Sequence, residues 1–278
     1  MPLSPKTGEP RVDIVIPVLN EAHVLADSVR KLRNFLLRLP YRCRVVIADN
    51  GSTDGTLDIA RRLADKYPDV AWIHLDEKGR GRALRRAWRE STADVVCYMD
   101  VDLSTDLNAL LPTFHALTRE GYDVAVGSRL MRESRVRRCL KRDVLSRGYN
   151  LLIKAVLGTR FSDAQCGFKA LTRTVMERVV PQVEDQAWFF DTELLVLCEK
   201  RGYRIKDIPV IWDEDPDSRV KILRTVWDDI KGLLRLRRLL KSDAFPTRFP
   251  PAGAETGVAL HTMEREAGDV GRMQAVGD

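Results

Sequence analysis

Two aspartates separated by a single residue follow an apolar run of the sequence. The run, Val95 to Met99, has the length and the β-branched content of a buried strand, and Asp100 and Asp102 come directly after it. Because residues i and i+2 of an extended chain point to the same side, the sequence predicts two adjacent carboxylates at the end of a strand. Such oxygen ligands suit a hard divalent cation. The alternative is that both are turn residues before a helix that begins near Leu107.

The elements that would position these carboxylates repeat a strand, loop and helix pattern four times. Such a repeat is typical of a parallel sheet with helices on both faces, and ligands of these sheets bind at the carboxyl ends of the strands. We therefore predict an α/β fold with a single domain, in which four loops meet at one edge of the sheet. These loops are Asn20-Glu21, Asp49-Asn50, Lys78 to Arg82 and Asp100 to Asp102.

The third of these loops, Lys78 to Arg82, places two glycines among three basic residues. It lacks the third glycine of a dinucleotide-binding fingerprint, and arginines stand where a tight turn needs small residues. Glycine lets the backbone approach a ligand closely, and basic side chains can neutralise the charge of that ligand. The pattern indicates a loop that lies against phosphates.

The composition limits the classes to which the chain can belong. It has 278 residues, 44% of them hydrophobic, and a net charge of +6. No apolar run approaches the ~18 residues of a transmembrane helix, and the polar segment 1–10 does not have the pattern of a signal peptide. Five cysteines without a C-x-x-C pair and four dispersed histidines indicate reduced thiols and argue against a zinc site. These features predict a cytoplasmic protein.

Seven motifs, in this order and spacing, resemble those of one enzyme family. Three are similar to the nucleotide-diphospho-sugar domain of family-two glycosyltransferases: I-P-V-L-N-E (16–21), D-N-G-S-T-D-G-T (49–56) and M-D-V-D-L (99–103). Four resemble polyprenyl-phosphate sugar synthases: G-S-R (127–129), S-R-G-Y-N-L-L (146–152), D-A-Q-C-G-F-K (163–169) and W-F-F-D-T-E-L-L (188–195). The dolichyl-phosphate β-glucosyltransferases are the most similar branch, followed by the dolichyl-phosphate mannose synthases. The resemblance implies the Rossmann-like glycosyltransferase A fold.

The resemblance also implies a donor site for a nucleotide sugar, in which Asp100 and Asp102 hold Mg²⁺ or Mn²⁺ on the diphosphate. The mannose synthases usually have a glutamine soon after the second metal aspartate, and Ser104 and Thr105 occupy that region here. A third protein ligand is therefore not expected. The implied donor residues are Pro17, Leu19 and Glu21 at the base and ribose, Asp49 at the nucleoside, Lys78 and Arg82 beside the donor, Val101 between the metal ligands, and Arg219 near the diphosphate.

The acceptor of the resembling enzymes is a lipid phosphate, and the resemblance places it on Arg129, Arg142 and Ser146. Arg129 belongs to the implied catalytic set, together with the two metal aspartates and Asp191. Asp191 has a second interpretation, because acidic residues are favoured in the first turn of any helix. Its contact with the sugar is therefore one of two alternatives.

Two basic segments lie in the second half of the chain. The first, Arg129 to Arg147, carries eight Lys or Arg residues and two acidic ones. It suits an anionic lipid headgroup, and the alternatives are a solvated surface or a nucleic acid, for which stacking aromatic residues are lacking. The second, Val220 to Lys241, has the pattern of a basic amphipathic helix that either packs on its own domain or lies in a membrane interface.

These observations predict four parts of the chain and one activity. The parts are a disordered N-terminus at 1–10, a glycosyltransferase A catalytic domain at 11–218, the basic amphipathic helix at 219–241 and a disordered tail at 242–278. The activity is inverting transfer of a hexose, glucose from UDP-glucose, to polyprenyl or dolichyl phosphate by an enzyme peripheral to the cytoplasmic face of the membrane, with no nucleic acid as partner. The alternatives are a GDP-mannose-dependent mannose synthase and a non-catalytic protein of this fold that docks on anionic membranes.

Overall fold

The computed structural model describes residues 8–213 and 222–242, and for residues 222–226 it describes only the backbone. Strands and helices alternate up to the two aspartates, as predicted. In chain order they are β1 (Arg11–Val18), α1 (Leu25–Leu36), β2 (Arg42–Asn50), α2 (Thr56–Lys66), β3 (Val70–Leu75), α3 (Arg80–Glu90) and β4 (Val95–Met99).

The chain beyond the aspartates is less regular. A single 3-10 turn, Leu107–Ala109, precedes the next helix, and a second one, Val180–Gln182, follows α6. The elements are α4 (Leu110–Thr118), β5 (Val124–Ser128), β6 (Arg135–Arg137), α5 (Leu140–Leu157), β7 (Phe168–Thr172), α6 (Arg173–Arg178), α7 (Phe190–Lys200), β8 (Ile205–Pro209), β9 (Ile211–Asp213) and α8 (Ile222–Lys241).

Seven strands form the central sheet in the order β3-β2-β1-β4-β7-β5-β8. β1, β2, β3 and β4 are mutually parallel, and β8 is parallel to β5. β7 is antiparallel to both of its neighbours, so its first residue, Phe168, pairs with Met99 at the end of β4. The start of β7 therefore lies beside the two aspartates. β6 and β9 form a separate parallel pair.

Hydrophobic layers cover both faces of this sheet. Alternate residues of the central strands face opposite layers, with Val15 in one and Ile14 in the other. The first layer contains the buried faces of α3, α5, α6, α7 and α8, and the second contains those of α1, α2 and α4. Because these strands are buried on both sides, β4 and residues 14–18 of β1 read as continuous apolar runs rather than as alternating patterns.

The described residues confirm the predicted α/β fold with its parallel-dominated sheet. The segments 1–7, 214–221 and 243–278 lie outside the described residues, so both predicted disordered ends fall almost entirely outside them. The amphipathic helix predicted at 219–241 corresponds to α8, which begins at Ile222. Within the described ranges, no helix is both long enough and apolar enough to cross a bilayer.

Candidate active site

Asp100 and Asp102 lie side by side at the carboxyl end of β4, as the sequence predicts, but they have different partners. Asp100 is partly buried, and its Oδ1 accepts a hydrogen bond from Arg80 Nη2 at 2.6 Å. Asp102 is exposed and accepts hydrogen bonds from the backbone N (3.0 Å) and the Oγ (2.6 Å) of Ser104. Leu103, with φ of 54°, closes this turn. The residue that stands in the region of the mannose synthases' glutamine therefore orients the second aspartate.

Gly167, just before β7, is required by its distance from Asp100. A Cβ atom on Gly167 would lie 1.8 Å from Asp100 Oδ2, so any other residue would force the carboxylate of Asp100 to move. Because β7 runs antiparallel to β4, this backbone meets the end of β4 although the two residues are far apart in the sequence. Gly167 therefore leaves the space that the first carboxylate occupies.

Arg80, the middle residue of the predicted phosphate loop, is the basic residue that reaches this carboxylate. Its guanidinium packs against the rings of Tyr98 and Trp188, each centred 5.1 Å away, and Nη1 is 3.6 Å from Asp191 Oδ2. Burial raises the pKa of Asp100 above its usual value, and Arg80 opposes that effect. The resemblance implies Lys78 and Arg82 of this loop, rather than Arg80, as the residues beside the donor. Lys78 is exposed, and Arg82 pairs with the neighbouring Glu77.

Asp191 is buried at the start of α7 and forms part of an internal network. Its Oδ1 accepts a hydrogen bond from the hydroxyl of Tyr98 and lies 3.0 Å from the ammonium of the fully buried Lys169. Lys169 also donates to the backbone carbonyl of Cys166 at 2.7 Å. The structure thus places Asp191 next to Arg80, with its carboxylate surrounded by these groups. Its predicted contact with the sugar stays a prediction.

The loops after β1, β2 and β3 are connected by hydrogen bonds that involve Asp49, Asn50 and their neighbours. Asp49 is buried, and its Oδ2 lies 2.6 Å from His74 Nδ1. Asn50 donates to the carbonyl of Val18 at 2.8 Å and accepts from the backbone N of Gly79 at 3.1 Å. These bonds fix three of the four predicted loops at one edge of the sheet.

The loop after β1 carries the residues predicted to bind the base and ribose. Asn20 adopts a left-handed conformation (φ 58°), and its side chain accepts from the backbone N of Thr53 at 2.7 Å. The backbone N of Glu21 donates to Thr56 Oγ1 at 2.9 Å. Three residues around this turn are predicted to bind the base and ribose, and all are half-buried: Pro17, Leu19 and Glu21. Val101 is buried between the two aspartates.

On the acceptor side, Arg129 forms a bidentate ion pair with the fully buried Asp163. Nε and Nη2 of Arg129 donate to the two carboxylate oxygens at 2.8 and 3.0 Å, and the guanidinium stacks on the ring of Trp212 at 5.0 Å. Burial alone would raise the pKa of Asp163, but Arg129 holds it below its usual value. Nη1 of Arg129 takes no part in this pair, so a phosphate would meet a guanidinium that is already oriented.

The two other residues predicted to hold the acceptor phosphate lie on α5. Ser146 is buried, and its Oγ has no hydrogen-bond partner among the described residues, whereas Arg142 is half-buried one turn earlier. Asn150 donates to the carbonyl of Ser146 at 2.9 Å and accepts from the backbone N of Ala164 at 2.8 Å. α5 is thereby attached to the segment that holds Asp163. Arg219 lies outside the described residues.

A cavity of 420 Å³ lies between the loop that precedes α7 and the helix α8. Trp188, which stacks on Arg80, is one of its walls, and Asp229 of α8 is another. Burial, together with Asp185 and Asp228, raises the pKa of Asp229 to about 7. Gln165 Nε2 lies 3.3 Å from Asp229 Oδ2 and connects the cavity to the loop before β7.

The residues at the end of β4 fit a divalent metal ion. Two carboxylates, one of them seated against Gly167, supply hard oxygen ligands, which Mg²⁺ and Mn²⁺ prefer. Among the described residues, no group of three or more His, Cys, Asp or Glu could hold a metal. Asp100 and Asp102 would therefore hold the ion together with ligands from outside the described residues.

Comparisons with known proteins agree with this arrangement. Residues 13–180 match the family described as Glycosyl transferase family 2. Glycosyltransferase AglD of Haloferax volcanii is 37% identical over 220 residues, which are 77% of this chain and 35% of that protein. The dolichyl-phosphate beta-glucosyltransferase of Saccharomyces cerevisiae is 26% identical over 235 residues, 76% of this chain and 69% of that protein. The chain thus spans about a third of AglD.

Solved structures share the fold at low sequence identity. A crystal structure of glucosyl-3-phosphoglycerate synthase from Mycobacterium tuberculosis in complex with UDP superposes with a TM-score of 0.64 at 19% identity, over 82% of this chain and 80% of that one. A complex of the same enzyme with Mn²⁺, UDP and glucosyl-3-phosphoglycerate gives 0.62 at 18%, with the same coverage. The family match covers more than half of the chain and includes β1 to β7 with both aspartates. The chain belongs to glycosyl transferase family 2.

Proposed function

We propose that this protein transfers glucose from UDP-glucose to a polyprenyl or dolichyl phosphate and inverts the anomeric centre. The observation that carries the proposal is the pair Asp100 and Asp102 at the end of β4, at the edge of the sheet where the loops after β1, β2 and β3 also end. The names of related proteins support the substrates, because several of them are dolichyl-phosphate beta-glucosyltransferases. A crystal structure that shares the fold, that of glucosyl-3-phosphoglycerate synthase, contains UDP and Mn²⁺.

The donor would lie along the edge formed by these loops, with its nucleoside near Asp49 and its diphosphate near Asp100 and Asp102. Mg²⁺ or Mn²⁺, when bound there, would stabilise the negative charge that develops on the leaving diphosphate. Arg80 already supplies one positive charge to Asp100 at this point. Because its guanidinium packs against two aromatic rings, it is oriented before any substrate arrives.

The acceptor would approach on the side of Arg129 and α5. A phosphate monoester has a second pKa of ~6 and is largely ionised near neutral pH, so it needs orientation and charge neutralisation more than a general base. Arginine forks suit phosphate oxygens, and Asp163 fixes the fork of Arg129 in one orientation. Attack opposite the leaving diphosphate turns an α-linked donor into a β-linked lipid phosphate sugar.

The acceptor is a membrane lipid, so the proposal includes where the enzyme works. We place it at the cytoplasmic face of a membrane, where it is bound peripherally and receives UDP-glucose from solution. The two basic segments of the chain agree with this, because each Lys or Arg near an anionic surface contributes ~1 kcal/mol of attraction.

A transfer assay tests this proposal directly. Purified protein is mixed with polyprenyl phosphate in detergent, Mn²⁺ or Mg²⁺, and labelled UDP-glucose, GDP-mannose or UDP-galactose in parallel, with the Asp102→Asn variant as the matched control. We expect label in the lipid fraction from UDP-glucose alone, only with metal, and a β configuration by NMR. Preference for GDP-mannose would make the protein a mannose synthase. No transfer from any donor would favour a non-catalytic protein of this fold.

A further inference from the structure

Helix α5 exposes an apolar face on the side opposite its buried face. Its buried face consists of Ser146, Asn150, Ile153 and Leu157, which pack toward the sheet. The opposite face exposes Leu140 at 82%, Val144 at 69% and Leu151 at 69%, and Leu145 and Leu152 lie beside them. At 100° per residue, these positions span roughly 140° of the helix surface. A solvated helix would carry polar residues on such a face.

Helix α8, which packs against α5, repeats this pattern. Its buried residues include Leu233 and Leu236, and on its opposite side Trp227 is 59% exposed next to Ile230 and Leu234. Most of the exposed large hydrophobic side chains in the described part of the chain belong to these two helices. A monomeric protein in water rarely leaves such a surface uncovered, so it marks an interaction site.

The charges around these apolar side chains indicate which partner covers them. Exposed basic residues surround both helices: Lys141, Arg147 and Lys154 on α5, and Lys231, Arg237, Arg238 and Lys241 on α8. Asp143, an acidic residue of α5, is paired with Arg138 and Arg147. An apolar centre within a basic rim matches an anionic bilayer, whose headgroups are negative and whose interior is apolar. A second copy of this chain would place one basic rim against another.

The position of α5 relative to the candidate acceptor site agrees with such a partner. The buried face of α5 is attached through Asn150 to Ala164, the neighbour of Asp163, which holds Arg129. An α-helix with its side chains is ~10 Å across, so a surface in contact with the exposed face of α5 lies about one helix diameter from this segment. A phosphate at the surface of a bilayer would thus begin its approach close to Arg129.

We propose that the exposed apolar faces of α5 and α8, called the docking face below, insert into the headgroup region of an anionic bilayer. The inference rests on the proposed function, because it explains how a lipid phosphate reaches the site. Insertion of the docking face also differs from purely electrostatic attraction to the membrane. Binding has a salt-sensitive part from the basic rim and a salt-resistant part from Val144, Leu151 and Trp227.

Vesicle co-sedimentation of the full chain tests the docking face. The variant Val144→Gln/Leu151→Gln removes two apolar side chains that are already exposed, so its fold should be retained, as circular dichroism will verify. Leu37→Gln, at a residue exposed to 60% at the end of α1, is the matched control. On vesicles of phosphatidylcholine and phosphatidylglycerol, we expect the double variant to lower the partition coefficient about tenfold, or ~1.4 kcal/mol, and the control to leave it unchanged.

The dependence on salt separates the two parts of the docking face. The double variant should keep the salt dependence of the wild type, whereas Arg147→Gln/Arg238→Gln/Lys241→Gln should reduce it. The inference is overturned if the wild-type protein stays unbound on anionic vesicles at low salt, or if the double variant binds them as tightly as the wild type. It is also overturned if light scattering shows a wild-type dimer that the double variant dissociates, because a second copy would then cover the face.

A transfer assay with two acceptors distinguishes failure of docking from failure of the proposed function. With a short, water-soluble prenyl phosphate, the double variant should transfer glucose as fast as the wild type, and with a long-chain polyprenyl phosphate in vesicles it should be slower. Equal rates on both acceptors would overturn the docking face and leave the function intact. Vesicle binding that the double variant loses, without transfer to either acceptor, would support the docking face and reject the function.

Discussion

The donor edge of the sheet and the acceptor side of the molecule are built in different ways. At the donor edge, polar side chains bind backbone groups of neighbouring loops, as Asn50 does with Val18 and Gly79. On the acceptor side, charged side chains are paired with one another, as Arg129 is with Asp163, 34 residues away. The first arrangement leaves the carboxylate of Asp102 exposed for a ligand. The second arrangement fixes the direction of the Arg129 side chain, but its Nε and Nη2 donors are then used by Asp163.

The largest difference between the two regions should appear when the metal ligands are changed. Asp100→Asn or Asp102→Asn removes a charged oxygen ligand, so turnover should fall by about a thousandfold while the fold is retained. Asp106→Asn is the control, because the side chain of Asp106 caps the following 3-10 turn and asparagine caps about as well, so both turnover and stability should stay nearly unchanged. Rates with UDP-glucose and circular dichroism check both. Activity of either metal-ligand variant in the presence of a chelator would contradict the assignment.

Substitution of a paired residue on the acceptor side should lower the free energy of unfolding. Asp163→Asn leaves the guanidinium of Arg129 without its counter-charge in a buried position, and the free energy of unfolding should fall by about 3 kcal/mol. Asp58→Asn, which breaks an exposed pair with Arg61, should cost less than about 1 kcal/mol. Urea unfolding measures both variants. Similar values for the two would show that Arg129 does not depend on Asp163.

Lowering the pH should reduce the stability of the protein for the same reason as Asp163→Asn, because it removes the charge of Asp163. Because the pKa of Asp163 is lower in the folded protein than its ordinary value of 3.8, its contribution is complete above that pH and is lost as the pH falls through the folded pKa. The difference in unfolding free energy between the wild type and Asp163→Asn should therefore be constant around neutral pH and shrink in acid.

The glycine beside Asp100 offers a steric test of the donor edge. Gly167→Ala would push the carboxylate of Asp100 out of its place, and turnover should fall about a hundredfold, as expected for a displacement of about 1 Å. Gly148→Ala is the control, because nothing lies within 4 Å of its Cβ position in α5 and the helix should gain about 1 kcal/mol. Steady-state kinetics and thermal melting measure the pair. Unchanged turnover in Gly167→Ala would show that Asp100 tolerates another position.

The smallest expected effect concerns Asp229, whose pKa is raised by burial to about 7. A carboxyl group with a raised folded pKa binds its proton more tightly in the folded than in the unfolded state, so stability falls as the pH rises from its ordinary pKa of 3.8 to 7. Asp229→Asn should remove this slope and therefore stabilise the protein at pH 8 relative to the wild type. Asp228→Asn should reduce the slope only in part, because burial is the largest cause of the raised pKa of Asp229 and Asp228 is a smaller one. Melting temperatures measured across this pH range distinguish the two variants.

Local patterns in the sequence predict the donor edge well. The apolar run before Asp100 predicts β4, and the repeated units predict the parallel strands that bring the loops together. The two residues that were not predicted, Arg80 and Gly167, depend on contacts between distant parts of the chain. Arg80 is defined by Asp100, Tyr98 and Trp188, and no local pattern shows that it, rather than Lys78 or Arg82, points inward.

The acceptor side is less predictable, for physical reasons that two features illustrate. The antiparallel direction of β7 is set by packing, and it alone brings Gly167 next to Asp100. The leucines of α5 have the helical spacing of core residues, so the sequence does not show that Leu140 and Leu151 face outward. The ion pair of Arg129 with Asp163 likewise joins two motifs that the sequence presents separately.

Binding of Mn²⁺ in the presence of UDP, followed by electron paramagnetic resonance, tests most directly whether the donor edge is a built site. The wild-type chain should bind Mn²⁺ when UDP is present and much more weakly without it, because only two carboxylates come from the described part of the chain. Asp100→Asn and Asp102→Asn should lose this binding, and Asp106→Asn should keep it. Wild-type Mn²⁺ affinity in both Asp100→Asn and Asp102→Asn would contradict the account, because the metal would then lie elsewhere.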